Sequence, residues 1–174
     1  MRYFPAAPWP TSLKVVSLFA SILLAGIGYA AFSVIPHGTR APFAESFGTL
    51  IAIVPIAIAL FAVLFIVSGY TLDGRSLRVR RLLWSTSIPL AGLRKASHDP
   101  GAMKGSIRIF GNGGFFSVTG LYQNKLLGRY RAFVTDPVQA VVLVLPERVI
   151  VISPADPPEL LEELRATFPA VREH

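Results

Sequence analysis

The sequence predicts an α+β membrane protein in which a two-helix transmembrane hairpin precedes a small antiparallel β-barrel or sandwich capped by a C-terminal α-helix. Three observations carry this reading. Two uncharged hydrophobic stretches of helical length lie within residues 1–70. Beyond Tyr70 the chain breaks into short stretches of alternating polarity, separated by Asp-Gly, Gly-Asn-Gly-Gly and Asp-Pro turn signals. The charge is segregated as well: 14 of the 17 Lys and Arg, and 9 of the 10 Asp and Glu, follow Tyr70. A 52% hydrophobic chain with net charge +7 suits a small membrane protein with a basic face. The absence of cysteine excludes disulfides, thiol catalysis and thiolate metal sites.

Residues 1–12 are too rich in proline for a helix, and their aromatic residues Tyr3, Phe4 and Trp9 suit the bilayer interface. The first span covers about 15–35, an uncharged run closed by Pro36. A cleaved signal ending near Gly28-Tyr29-Ala30 is the competing reading, but the run exceeds the roughly 7 to 15 apolar residues of a signal. Ser17, Ser21 and Ala25 recur every four residues, which predicts a small-residue face against the second helix. The second span, 48–70, has no charged residue and at about 1.5 Å per residue reaches roughly 34 Å, enough for a hydrocarbon core of about 30 Å. Pro55 lies inside it. The connector over 36–47 is too short to fold alone. Arg2 and Lys14 lie on one side of the hairpin with Arg75, Arg78, Arg80 and Arg81, whereas the connector carries only Arg40. That asymmetry predicts a multi-pass membrane protein with both termini cytoplasmic. The expected division is 1–70 as the hairpin and 71–174 as a cytoplasmic domain.

In the second part, Asp73-Gly74 predicts a two-residue hairpin turn. Leu77 and Val79 then face inward, Arg78 and Arg80 outward, and Arg81 breaks the alternation with a bulge or strand end. A strand is expected over 87–90, a polar loop over 94–104, and a hairpin with strands 106–110 and 115–119 about the turn Gly111 to Gly114. Strands follow at 128–135, 140–145 and 149–153. Asp156 caps the last helix, with Pro157 in its first turn and Glu159 at capping-box spacing, and Leu160, Leu161, Leu164 and Phe168 form its apolar face.

The strand Leu77-Arg78-Val79-Arg80, the strand Ile88-Pro89-Leu90, the segments RIFGNGGFFSVTG (108–120) and LLGRYRAFVTD (126–136), and Val151-Ile152-Ser153-Pro154 before a capped helix together resemble the bacterial PH-like domain family. The resemblance covers roughly 70–170. It implies a partly open, seven-stranded PH-type barrel closed by the C-terminal helix, a binding and assembly role, and no catalytic residues to transfer. The phosphoinositide site of eukaryotic PH domains is not carried over, because only Arg75 lies in the hairpin tip, beside Asp73.

The residues themselves point to little chemistry. Gly111 to Gly114 lacks the spacing and the Lys-Ser/Thr of a phosphate loop. His37, His98 and His174 lack metal-ligand spacing, so no metal or cofactor is expected. A triad of Ser153, His98 and Asp156 can be nominated, but Asp156 already has a capping role. No catalytic residue is therefore assigned. Arg75, Arg78, Arg80 and Arg81 are the candidate contacts for anionic lipid or a partner, with Arg94, Lys95, Lys104, Arg129 and Arg131 as possible extensions. Nucleic acid is not expected, since no groove-reading helix is present. The expectation is a membrane-anchored, non-enzymatic binding or assembly module with a protein partner or a second copy of itself. The alternative is a sensor of anionic lipid headgroups.

Overall fold

The computed structural model describes residues 1–34 and 42–168, with the backbone alone over 42–48. A strand β1 (Arg2–Pro5) precedes the helices α1 (Thr11–Val34) and α2 (Pro42–Leu64). Nine further strands follow: β2 (Val67–Asp73), β3 (Ser76–Arg81), β4 (Ser85–Pro89), β5 (Lys95–His98), β6 (Ile107–Gly113), β7 (Val118–Asn124), β8 (Gly128–Val134), β9 (Val141–Val144) and β10 (Val149–Ile152). The helix α3 (Pro157–Thr167) ends the described chain. The strands form two sheets, ordered β1-β2-β3-β4 and β5-β9-β10-β8-β7-β6.

Two expectations about the N-terminal part change. The second helix stops at Leu64, not at residue 70, and Val67 begins a strand that runs through the expected boundary. Val67, Tyr70 and Leu72 are uncharged because they fill the barrel core. An apolar run answers equally to lipid and to a protein interior. The Pro-rich start, in turn, is not irregular. β1 pairs antiparallel with β2, from Arg2 opposite Leu72 to Pro5 opposite Gly69. β1 is an edge strand, where proline costs no ladder bond to a further neighbour. Phe4 is buried in the core and Tyr3 covers Gly69, where any Cβ would strike the Tyr3 ring. Beyond the strand, the Ala7 amide donates to the Ser153 carbonyl at 2.8 Å and the Ala155 amide to the Pro5 carbonyl at 2.9 Å. Arg2 reaches α3, pairing with Glu159 at 2.6 Å and Glu163 at 2.5 Å.

The connector is described only from Pro42, which already belongs to α2; residues 35–41, with His37 and Arg40, lie outside the described residues. The small-residue face also differs. Ser17 packs on the β6–β7 turn, its hydroxyl accepting the Phe116 amide at 2.9 Å, and Ser21 bonds back to the Ser17 carbonyl. The close approach of the two helices falls at Gly28, where a Cβ would lie 3.0 Å from the Ala52 carbonyl oxygen.

In the β domain the first hairpin turns at Gly74-Arg75, one residue later than expected. Asp73 pairs with Ser76, and Gly74 supplies the positive φ of 47°. Leu77 and Val79 are buried and Arg78 and Arg80 exposed, as alternation requires. The polar segment 94–104 contains the strand β5, paired with β9, and not a loop throughout. Its remainder covers the outer face of the second sheet, with Ala102 packed beside Tyr122 and Tyr130 and its carbonyl held by Asn124 at 2.7 Å. The barrel is not wholly antiparallel, because β10 inserts between β9 and β8 and runs parallel to β8. The helix α3 starts as expected. The Asp156 carboxylate accepts the Glu159 amide at 3.0 Å, and Leu160, Leu161 and Leu164 enter the core.

One hydroxyl ties these parts together. Tyr70 is fully buried; it donates to the Phe133 carbonyl at 2.6 Å and accepts the Ser153 amide at 3.0 Å, joining the first sheet to β8 and to the residue that follows β10. Burial pushes its pKa up to about 12, the bonds to Ser153 acting the other way. Tyr70→Phe strands two buried backbone groups and is expected to cost about 1–3 kcal/mol, read by denaturant unfolding of the detergent-solubilised chain. The unfolded phenol ionises near its ordinary 10.0, so the native state loses stability as pH rises from there through about 12. The stability gap between wild type and Tyr70→Phe should therefore be constant below pH 10 and shrink across that window. A fragment beginning at residue 71 lacks Phe4, Val67 and Tyr70 and should show no cooperative unfolding.

Candidate functional site: a cleft between the second helix and the second sheet

Alternation sorts the four candidate arginines into different places. Arg75 is exposed at the hairpin tip. Arg78 pairs with Asp73 at 3.0 Å, and the exposed Arg80 lies 5.8 Å from the Tyr3 ring. Arg81 is set apart by a register shift between Val67 and Gly69 on the neighbouring strand, and it is half-buried. Its Nη1 donates to Thr86 Oγ1 at 2.6 Å, and its guanidinium lies 5.7 Å from the Trp84 ring and 5.3 Å from the Phe133 ring. Its Nε is buried without a hydrogen-bond partner among the described residues. Burial lowers the Arg81 pKa, and the nearby charge of Arg131 lowers it further. Arg81 is thus brought to Arg131, whose guanidinium stands 5.4 Å from the same Phe133 ring, and not to the other three.

The two arginines border a cleft of about 670 Å³. One wall is the last turns of α2, with Ile58, Phe61, Ala62 and, just beyond the helix, Phe65. The other is built by cross-strand rows. Phe110, Leu121 and Arg131 are register partners across β6, β7 and β8, and Asn112, Thr119 and Phe133 form the next row. Residues opposite one another on neighbouring strands share a face, so both rows line the cleft. Phe65 meets Trp84 edge-on at 5.1 Å, and its carbonyl accepts the Ser117 hydroxyl at 3.2 Å, which holds the helix end over the sheet.

Between the rows lie Gly111 and Gly120, which are register partners. This corrects the expected turn. Gly111 to Gly113 belong to β6, and the chain turns over residues 114–117, where Phe116 has a φ of 64° and the Gly114 amide bonds to the Ser117 carbonyl. Asn112 shapes the turn, accepting the Phe115 amide at 2.9 Å and donating to the Phe115 carbonyl. Gly111 has a φ of 112° and Gly120 of 141°, and a Cβ on either would collide with the facing backbone. Gly120→Ala is expected to cost at least about 2 kcal/mol, because strain and collision add. The cost should be accompanied by loss of amide hydrogen-exchange protection along β6.

The residues nominated for catalysis are engaged elsewhere. The buried Ser153 hydroxyl accepts the Thr135 amide at 2.8 Å, Asp156 caps α3, and His98 Nε2 lies 3.1 Å from the Val138 carbonyl. Among the described residues no group of three or more His, Cys, Asp or Glu is placed to hold a metal ion. His174 lies outside the described residues. Arg131, expected only as an extension of the basic patch, stands in the cleft instead; its signal in the sequence is a place two residues before Phe133 in a strand whose partner row a single sequence does not give. The aromatic wall from α2 left no such signal, because those residues read as lipid-facing.

An α+β domain of two sheets closed by a C-terminal helix is the architecture of a PH-like module. The family described as "Bacterial PH domain" matches residues 68–167, and this chain belongs to it. No curated protein and no solved structure matches the chain.

Proposed function

We propose that this protein is a membrane-anchored, non-enzymatic binding or assembly module that presents its PH-like domain at the inner face of the bacterial cell membrane. The observation that carries the proposal is the way the helices leave and re-enter the domain. Among the described residues α1 is long and apolar enough to cross a membrane, and the apolar part of α2 runs from Thr49 to Leu64. Large apolar side chains, among them Leu18, Phe19, Ile22, Ile53, Leu60 and Phe61, are exposed along both helices, and lipid is the natural cover for them. The Ser17 and Ser117 bonds and the β1–β2 pairing gather the start of α1 and the end of α2 at the β domain. That supports a hairpin with both termini on one side, and the basic excess of the β domain supports the cytoplasmic side. PH domains are generally non-catalytic binding modules, and the family match supports the same role here.

The partner-binding surface we assign is the free edge of β6. It ends the second sheet, and Ile107, Ile109 and Phe110 on it are exposed. An exposed apolar edge accepts an extended segment of another protein by strand addition, main-chain bonds giving affinity and side-chain pockets specificity. The alternative, headgroup sensing by Arg75, Arg78, Arg80 and Arg81 as one patch, draws less support, because Arg78 is paired and Arg81 faces the cleft.

Three measurements check the proposal. The intact chain should resist alkaline extraction from membranes. Replacing residues 11–64 by a flexible linker of about 8 residues should release a soluble, cooperatively folding domain that retains β1, since both ends of the excursion meet at the domain. Release of the intact chain by alkali would contradict the anchor. A photo-crosslinker at position 107 or 109 in native membranes should capture a protein, either a partner or a second copy. Capture that moves to positions 75 and 80, with lipid as the adduct, would favour the alternative.

A further inference from the structure

We infer that the cleft between the end of α2 and strands β6 to β8 holds the headgroup of an anionic phospholipid from the leaflet that α2 enters, with Arg81 and Arg131 as its phosphate ligands. The inference rests on the membrane-anchored reading above and names a ligand that the reading leaves open.

The lining is chemically unbalanced in one direction. Phe61, Phe65, Phe110, Leu121 and Phe133 make the walls apolar, and the charged residues among the lining are the two arginines, with no carboxylate. Among the described residues no ion pair to an acid uses Arg81 or Arg131. Guanidinium groups beside a common phenyl ring repel one another, and desolvating one of them without a counter-charge costs free energy that a bound anion recovers. The planar N–H forks of Arg81 and Arg131 suit phosphate oxygens.

The apolar walls decide which anion. A free phosphate would satisfy the arginines and leave five large hydrophobic side chains uncovered, whereas a phospholipid carries acyl chains on the same glycerol as its phosphate. Position favours the same ligand. The cleft opens beside the last turns of a helix that otherwise exposes apolar residues to lipid. Next to the lining residue Phe65, the turn between β3 and β4 exposes Leu82, Leu83 and Trp84, with Trp84 packed on Phe65. An exposed Leu-Leu-Trp turn against the end of a spanning helix belongs at the depth of the headgroups, where the indole finds both apolar and wet surroundings.

The test uses the full chain in a non-ionic detergent with equimolar phosphatidylglycerol and phosphatidylcholine, read by native mass spectrometry. Wild type should retain phosphatidylglycerol in preference. Arg131→Gln and Arg81→Gln should each cut that retention about tenfold or more, the loss of one charge-assisted bond. Lys125→Gln with Arg148→Gln removes two charges outside the cleft and should leave retention unchanged. Lysophosphatidylglycerol should compete and inorganic phosphate should not. Equal retention of the two lipids, retention unaffected by Arg131→Gln, or equal loss with Lys125→Gln and Arg148→Gln would overturn the inference. Arg131 is exposed, so its substitution keeps the test valid if Arg81→Gln fails to fold. Alkaline extraction of the same variants separates the two ideas: a chain that stays in the membrane without lipid preference sinks the cleft alone, whereas a chain released by alkali sinks the anchor.

Discussion

The pairing of β1 with β2 is the constraint on which the rest of the molecule depends. The two strands are neighbours in one sheet, yet residues 6–66 lie between them. The helices are thus an excursion from the β domain, which the chain leaves after β1 and rejoins at β2. Closing so long a loop is less costly than its length suggests, since each doubling adds only about 0.6 kcal/mol. Burial of Phe4 and the bonds from Ala7 to Ser153 and from Ala155 to Pro5 offset that cost. In consequence the N-terminus is part of the barrel, and the barrel is held at the ends of its own helices without a linker.

A second consequence concerns charge. β2 both completes the core and sets the register of β3, so its irregularity between Val67 and Gly69 falls beside Arg80 and Arg81. Strict alternation would have separated Arg81 from Arg78 and Arg80 by one face alone. The shift coincides with the strand end and lets the side chain reach Thr86, Trp84 and Phe133. The same strand therefore carries Arg78 and Arg80 to solvent on one face and Arg81 to a cleft on the other, and the shift in the partner strand falls where they divide.

The cleft lies where strands β6 to β8 face the end of α2. β8 shares the main core through Phe133, but Arg131 on the same face lines the cleft with α2 as the opposite wall. Gly111 and Gly120 permit the close backbone approach of β6 and β7 that brings the two lining rows together. The helix end closes one side, where Phe65 packs on Trp84 of the exposed turn Leu82-Leu83-Trp84.

Much was legible in the sequence wherever a local signal carried the information. The period-two pattern placed Leu77 and Val79 inside and Arg78 and Arg80 outside, and the Asp156-Pro157 start placed α3. The motifs along 70–170 placed the PH-like family. Local signals failed where one residue type serves two environments. Val67 to Tyr70 read as membrane helix because apolar side chains suit lipid and core alike, and Arg2-Tyr3-Phe4 read as an interfacial tail because a four-residue edge strand has too few alternations to register. The site was less legible than the fold. Composition determined that basic residues follow the second apolar run, but which of them meet depends on strand register, on the order β10-β8-β7-β6 and on where α2 stops. Periodicity along one strand gives the face of a residue and not its neighbour on the next. Only the tertiary structure, by bringing β3, β8 and the end of α2 together, could make Arg81 and Arg131 parts of one site.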